Sequence, residues 1–201
     1  MDELLPGVWR WSVHNAERGI DFNGWFVRRD GATVVVDPPP ANAEVLREVE
    51  RHGAPEAVLL TNKDHARDCV TFRDHFGCPI WIHELDAPLV DLGVLEVYRD
   101  GATLPTGLVA STLADSKTPG ETAFWVPGES AAWIVGDAVL GRPAGELSML
   151  PDAKFDDPAA AKRGLNKLLE RDFDALLLGD GEPILTGAMA QLRAWLLASS
   201  L

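Results

Sequence analysis

Four apolar stretches of this chain end in short polar runs that the stretches themselves do not require. They are Thr61-Asn62-Lys63-Asp64-His65, Thr118-Pro119-Gly120-Glu121, Gly136-Asp137 and Gly179-Asp180-Gly181. Carboxylates and an imidazole at such places are groups that ligate cations, orient water or carry protons. Rigid scaffolds also hold functional loops at strand ends. Each run has a plainer reading when taken alone. Asp64 suits a helix N-cap, and Asp180 between two glycines suits a turn. Asp37, just ahead of Pro38-Pro39-Pro40, suits a strand-to-helix turn. His83 reads as a surface or strand-capping histidine, and His14, His52 and His75 read as solvated.

The elements that must position these runs follow from period and punctuation. Residues 8–13 and 24–29 read as strands, Asp30-Gly31 as a hairpin turn, and 32–37 as the returning strand. A helix follows with Val45, Leu46 and Val49 on its apolar face and Gly53 just past its end. The run 56–61 is a buried strand, followed from about residue 65 by a helix with Val70, Phe72 and Phe76 inward, and then a strand at 79–83. From about 94 to 137 the pattern is β-rich. Asp157 and Pro158 start a later helix that turns Leu165, Leu168 and Leu169 inward. Residues 174–181 form another buried strand, and Met189, Leu192, Trp195 and Leu196 mark the last helix. The order is β-rich, α/β, β-rich, α/β. Two such halves pack sheet to sheet with helices outside, a four-layer αβ/βα sandwich.

Bulk properties narrow the class. A chain of 201 residues is read as one domain, residues 1–201. With 31 acids against 18 bases the formal net charge is -13, which argues against nucleic acid and anionic membranes as partners. The two cysteines, Cys69 and Cys78, form no disulfide framework and read as small apolar groups in a reducing compartment. No signal peptide and no long apolar run appear, so a cytoplasmic protein is expected. Most of the seven tryptophans read as core, with Trp11 and Trp25 as candidate pocket walls. Residues 140–150 are a candidate lid or dimer contact, and the oligomeric state stays open.

The polar runs, in their order, resemble the metallo-β-lactamase superfamily. In that family an apolar strand ends in a Thr-His-x-His-x-Asp-His loop. A Thr-Pro-Gly-His loop, a Gly-Asp and a Gly-His-Gly follow after later strands. Here the places are taken by VLLTN-KDH-ARD, with two residues fewer between Thr61 and Asp64, and by KTPGETAF, WIVGDAVL and LLLGDGEP. The upstream DFNGWFV and ATVVVDPPP match the family's opening strands. A closer resemblance is to small members described as metal-dependent hydrolases, and the likeness covers nearly the whole chain.

The resemblance implies a cleft in which most histidine ligands are replaced. Asn62 stands for the first histidine, Glu121 for the third and Asp180 for the last, while Asp137 is the bridging aspartate. One metal at most is expected, on Asp64, His65, Asp137 and Asp180. Asp64 and Asp137 are the candidate catalytic groups, Asn62, Lys117 and Glu121 line the cleft, and Asp37 supports the loops behind it. Such an oxygen-rich set suits Mn²⁺, Fe²⁺, Mg²⁺ or Ca²⁺ better than Zn²⁺.

If Asp64, Glu121, Asp137 and Asp180 converge, they cannot all stay ionised without a compensating charge. That charge is a metal, Lys63, Lys117 or a protonated His65; otherwise some carboxyls hold protons. Two readings stand side by side. One is a metal-dependent hydrolase of a small molecule. The other is a metal-free pseudoenzyme acting as a binding or regulatory module.

Overall fold

Alternation along the strands assigns each side chain to one of two faces, and both faces are covered. In a computed structural model, which describes residues 1–198, the first sheet runs in chain order. Its strands are β1 (Asp2–Leu5), β2 (Val8–Asn15), β3 (Ile20–Arg29), β4 (Ala32–Val36), β5 (Ala57–Leu59), β6 (Ile80–His83) and β7 (Glu96–Tyr98). The second sheet holds β8 (Val109–Thr112), β9 (Thr122–Val126), β10 (Ala132–Val135) and β11 (Ala175–Leu178), ordered β11-β10-β9-β8. Four helices accompany them: α1 (Ala43–His52), α2 (Cys69–Phe76), α3 (Pro158–Gly164) and α4 (Ala188–Ala198).

Trp25, Val27, Val34, Val36 and Leu59 point from the first sheet into the space between sheets. There they meet Phe124, Val126, Ile134 and Leu177 from the second. The intervening residues Phe26, Val35 and Val58 point the other way, onto Val49 of α1 and Phe72 of α2. Trp133, Leu176 and Leu178 face outward from the second sheet onto Leu165, Leu168 and Leu192. Helix, sheet, sheet, helix is the expected four-layer αβ/βα sandwich.

Local signals act where the sequence places them. Asp30 and Gly31 both take positive φ, 52° and 84°, as a two-residue hairpin turn demands. Asn42 caps α1, accepting from the Glu44 and Val45 amides at 3.0 Å, and Gly53 closes it at φ 131°. Asp157 accepts from the Ala160 amide to open α3, with Pro158 as its first residue.

Other expectations are corrected. The helix expected from about residue 65 starts at Cys69, because Lys63–His65 form a separate 3₁₀ turn and Arg67 adopts φ 38°. A right-handed helix cannot run through a left-handed residue. Strand β1 was not anticipated; four residues are too few to show a period. Trp25 lies in the inter-sheet core and Trp11 stacks on Phe72, at 5.6 Å between ring centroids, so neither walls the cleft. His83 is buried rather than at the surface, with Thr112 Oγ1 3.0 Å from Nε2 and the Leu85 amide donating to Nδ1. Both cysteines are free and buried, as read. Among the described residues no helix is long and apolar enough to cross a membrane.

Candidate functional site

Asp37 is the first anchor. It follows β4 at φ 47° and is fully buried. Its carboxylate accepts from the Thr61 amide at 2.8 Å and from Thr61 Oγ1 at 2.6 Å, which fastens the end of β4 to the end of β5. The same carboxylate lies 2.8 Å from His65 Nδ1 and so sets the imidazole's orientation.

Asn62, not Asp64, caps the next turn. Its Oδ1 accepts from the amides of Asp64 at 2.8 Å and His65 at 3.1 Å. Its Nδ2 donates to Glu121 Oε1 at 3.3 Å, so both ends of the amide are engaged within the fold. Glu121 is fully buried, and Oε2 has no partner among the described residues. Burial, reinforced by the nearby Asp137 charge, pushes its carboxyl well above the ordinary glutamate range. The environment of Glu121 thus favours its protonated form.

Two glycines make the close approach possible. A Cβ on Gly136 would fall 2.3 Å from Thr61 Oγ1 and 2.9 Å from Glu121 Oε1. A Cβ on Gly179 would fall 2.7 Å from His65 Cε1. Any side chain at these positions would hold the ends of β10 and β11 away from the β5 loop.

Three charged tips meet. His65, Asp137 and Asp180 each offer a ligand atom, and the three atoms lie within 4.8 Å of one another. Asp64 is outside that group. Its carboxylate faces Lys63 Nζ at 2.6 Å and Lys117 Nζ at 2.7 Å. Lys117 also reaches Asp137 Oδ2 at 2.6 Å, so one ammonium bridges two of the acids. Burial alone would discourage both charges of that pair. Opposite charges override it: Asp137 and Asp64 raise Lys117, while His65 first and Lys117 second hold Asp137 well below the usual carboxylate range.

His65 Nε2 faces opposite demands. Arg67 Nη2 at 3.1 Å asks for a lone pair, and Asp137 Oδ1 at 3.5 Å asks for a proton. Burial and the Arg67 charge press the imidazole toward neutrality. Asp37 and Asp137, flanking it, outweigh both and raise its pKa to about 10.

Arg67 is the residue that sequence reasoning missed. Its Nη2 pairs with Asp180 Oδ1. Its Nη1 donates to the carbonyls of Asn23 at 3.1 Å and Asp37 at 3.4 Å, and Nη2 reaches the Gly179 carbonyl at 3.4 Å. The guanidinium thus ties β3, β4 and β11 at one point, and its carbon lies 4.6 Å over the Phe22 ring. A signal was present. Aligned without a gap, Thr61-Asn62-Lys63-Asp64-His65-Ala66-Arg67 sets Arg67 on the last histidine of the Thr-His-x-His-x-Asp-His pattern. Two further buried residues were also missed. Asp86 accepts from the Lys63 amide at 2.8 Å, Thr118 Oγ1 at 2.9 Å and the Gly120 amide at 2.8 Å. It thereby fixes the loop that carries Lys117. Asn23 donates to the carbonyls of Leu178 at 2.8 Å and Gly181 at 2.6 Å, joining the two sheets at the cleft floor.

The cleft has a volume of about 360 Å³ and is lined by Phe22, Asp64, His65, Arg67, Lys117 and Asp180 among others. Two face-packed sheets with polar strand tips around one hollow define a hydrolase-type αβ/βα sandwich. A family model described as the metallo-beta-lactamase superfamily matches residues 2–201, and the chain belongs to that superfamily. Fold and family are those of metal-dependent, hydrolase-type proteins.

Solved structures agree on the fold. TTHA1623 in a di-iron-bound form aligns at TM-score 0.70 and 23% identity, over 90% of this chain and 98% of that one. The metallo-beta-lactamase from Pontibacter korlensis aligns at TM-score 0.76 and 14% identity, over 98% and 97% of the two chains. The metallo-beta-lactamase family protein TTHA1429 from Thermus thermophilus aligns at 0.70 and 16%, over 98% and 81%. No curated protein matches.

The donor set therefore has two properties that pull apart. His65, Asp137 and Asp180 are close enough to share one divalent cation. Yet Asp180 is already paired with Arg67, and Asp137 with Lys117. A metal would have to displace two cations, one of them held by several backbone carbonyls. The residues present fit a resident metal poorly.

Proposed function

We propose that this chain is a metal-free member of the superfamily that binds a small-molecule ligand in the cleft at its strand tips. In this reading Arg67 and Lys117 supply the positive charge that balances the acids. The observation that carries it is the Arg67 guanidinium, bonded to Asp180 and to the carbonyls of Asn23, Asp37 and Gly179. Fixed cations of this kind neutralise buried carboxylates and hold loop geometry at once. The net charge of -13 weighs against polyanionic partners, and a cleft of about 360 Å³ is of a size for a small molecule.

A second reading keeps a mononuclear metal-dependent hydrolase, with His65, Asp137 and Asp180 as ligands. One observation favours it: their ligand atoms lie within 4.8 Å of one another. The metals to try are Mn²⁺, Fe²⁺, Zn²⁺, Mg²⁺ and Ca²⁺.

Elemental analysis of the purified chain, paired with thermal shifts in each metal, decides between the two. The metal-free reading expects well under one metal per chain and no shift. Stoichiometric metal together with a metal-dependent rise in Tm would overturn it.

A further inference from the structure

The cleft continues past the ion-paired tips. Arg18, Lys117, Lys154 and Asp180 line both it and an adjoining hollow of about 470 Å³. The second hollow has two kinds of wall. One is apolar, with Leu140, Met149 and Leu150, held in place where Leu140 pairs with Ser148 through backbone bonds of 2.8 and 3.0 Å. The other carries Arg18, Arg142 and Lys154.

Matched and unmatched charges meet where the two hollows join. The acids of the first, Asp64, Asp137 and Asp180, are matched by Lys63, Lys117 and Arg67, while Arg18 and Lys154 stand on the rim that it shares with the second. In the second, Arg18, Arg142 and Lys154 have no acidic partner among the described residues, and only Asp180, already paired, lines it with them. Arg142 Nη1 donates to the Arg18 carbonyl at 2.7 Å, and the Arg18 guanidinium lies 5.7 Å from the Phe22 ring centroid. These contacts aim the side chains without neutralising them. In a chain with 31 acids and 18 bases, three unmatched cations around one hollow stand against the overall field. Such a local field draws in small anions that the rest of the surface repels. Guanidinium groups grip a carboxylate in a planar fork.

We propose that this hollow binds a small organic acid with an apolar body. The carboxylate sits among Arg18, Arg142 and Lys154, and the body lies along Leu140, Met149 and Leu150. The proposal takes its place in the molecule from the small-molecule reading above and names the ligand class for it.

Octanoate serves as the probe, titrated calorimetrically into the full chain beside hexanoate, acetate and 1-octanol. Octanoate is expected to bind more tightly than hexanoate, by up to about fourfold per added methylene. Acetate, lacking the body, and octanol, lacking the charge, are each expected to bind at least about tenfold more weakly than octanoate. Arg18→Met and Lys154→Met keep an apolar stem at exposed positions. Each is expected to weaken octanoate about tenfold and leave Tm unchanged. Octanol binding as tightly as octanoate, variants that bind octanoate as the wild type does, or no binding heat at millimolar octanoate would each overturn the proposal.

Repeating the titration in EDTA separates the two readings. Binding that is kept by the wild type, lost in the variants and indifferent to EDTA supports both. Binding lost in the variants and also lost in EDTA, from a protein carrying stoichiometric metal, upholds the ligand class and retires the metal-free reading.

Discussion

Lys117 Nζ lies 2.6 Å from Asp137 Oδ2, joining the loop ahead of β9 to the tip of β10. Asp137 is almost fully enclosed, so its charge depends on that ammonium and on His65. Lys117→Met is expected to destabilise the fold by about 3 kcal/mol, the low end for a broken buried pair, since the lysine keeps some solvent contact. Adding Asp137→Asn should recover much of the loss, as a coupled pair requires. Urea denaturation of the two single variants and the double variant measures this. Simple additivity would mean that the contact carries no coupling.

Arg67→Met tests what the guanidinium displaces. Without it Asp180 is left unpaired, and His65, Asp137 and Asp180 are free to share a cation. The variant should melt lower than wild type in EDTA and rise when Mn²⁺, Fe²⁺ or Zn²⁺ is added. At a hundred times Kd the expected recovery is about 2.7 kcal/mol. Adding Asp137→Ala should abolish the response. A variant as indifferent to metal as the wild type would show that Arg67 is not what keeps metal out.

His65 makes stability depend on pH in the alkaline direction. Its folded pKa of about 10 lies above the free value of 6.5. The stabilisation from its two carboxylate neighbours is complete below pH 6.5 and is lost as pH rises toward 10. The slope is at most about 1.4 kcal/mol per pH unit. Tm measured from pH 6 to 10 should fall more steeply for wild type than for His65→Gln. Parallel curves would count against a protonated imidazole.

Glu121 acts over a different window. Its free carboxyl titrates near 4.5 and its folded one well above, so folding must retain a proton as pH rises. Stability from this group is therefore lost with increasing pH, starting near 4.5. Glu121→Gln keeps the shape without the titration. The variant should match wild type near pH 4 and exceed it at pH 7, the gap opening by at most about 1.4 kcal/mol per pH unit. Equal stabilities at pH 7 would show that Oε2 has found a compensating partner.

The sheets were legible because strands buried on both faces alternate between two cores, as Val34, Val35 and Val36 do. The cleft was legible because its acids cluster at strand ends, and Lys117 because it lies in one of those loops. Arg67 was not legible. Its role needs a left-handed φ that ends one turn before α2 begins, and a register in which His65 is not read as the pattern's last histidine. Asn62 carries chemistry-bearing atoms that the fold spends on a cap, which only the turn geometry reveals. Asp86 lies outside every motif, and Asn23, within DFNGWFV, reads only as part of an opening strand. Their bonds reach 34 positions to Gly120 and 158 to Gly181, separations at which local pattern carries no information.

Arg67 also changes how the cleft is supplied. A bound ion must be acquired from the surroundings, and its occupancy rises and falls with availability. A guanidinium arrives with translation, one in every molecule. On the metal-free reading proposed above, the strand ends that it gathers need no loading step and no chaperone delivering metal. Chelators and starvation should leave their arrangement intact.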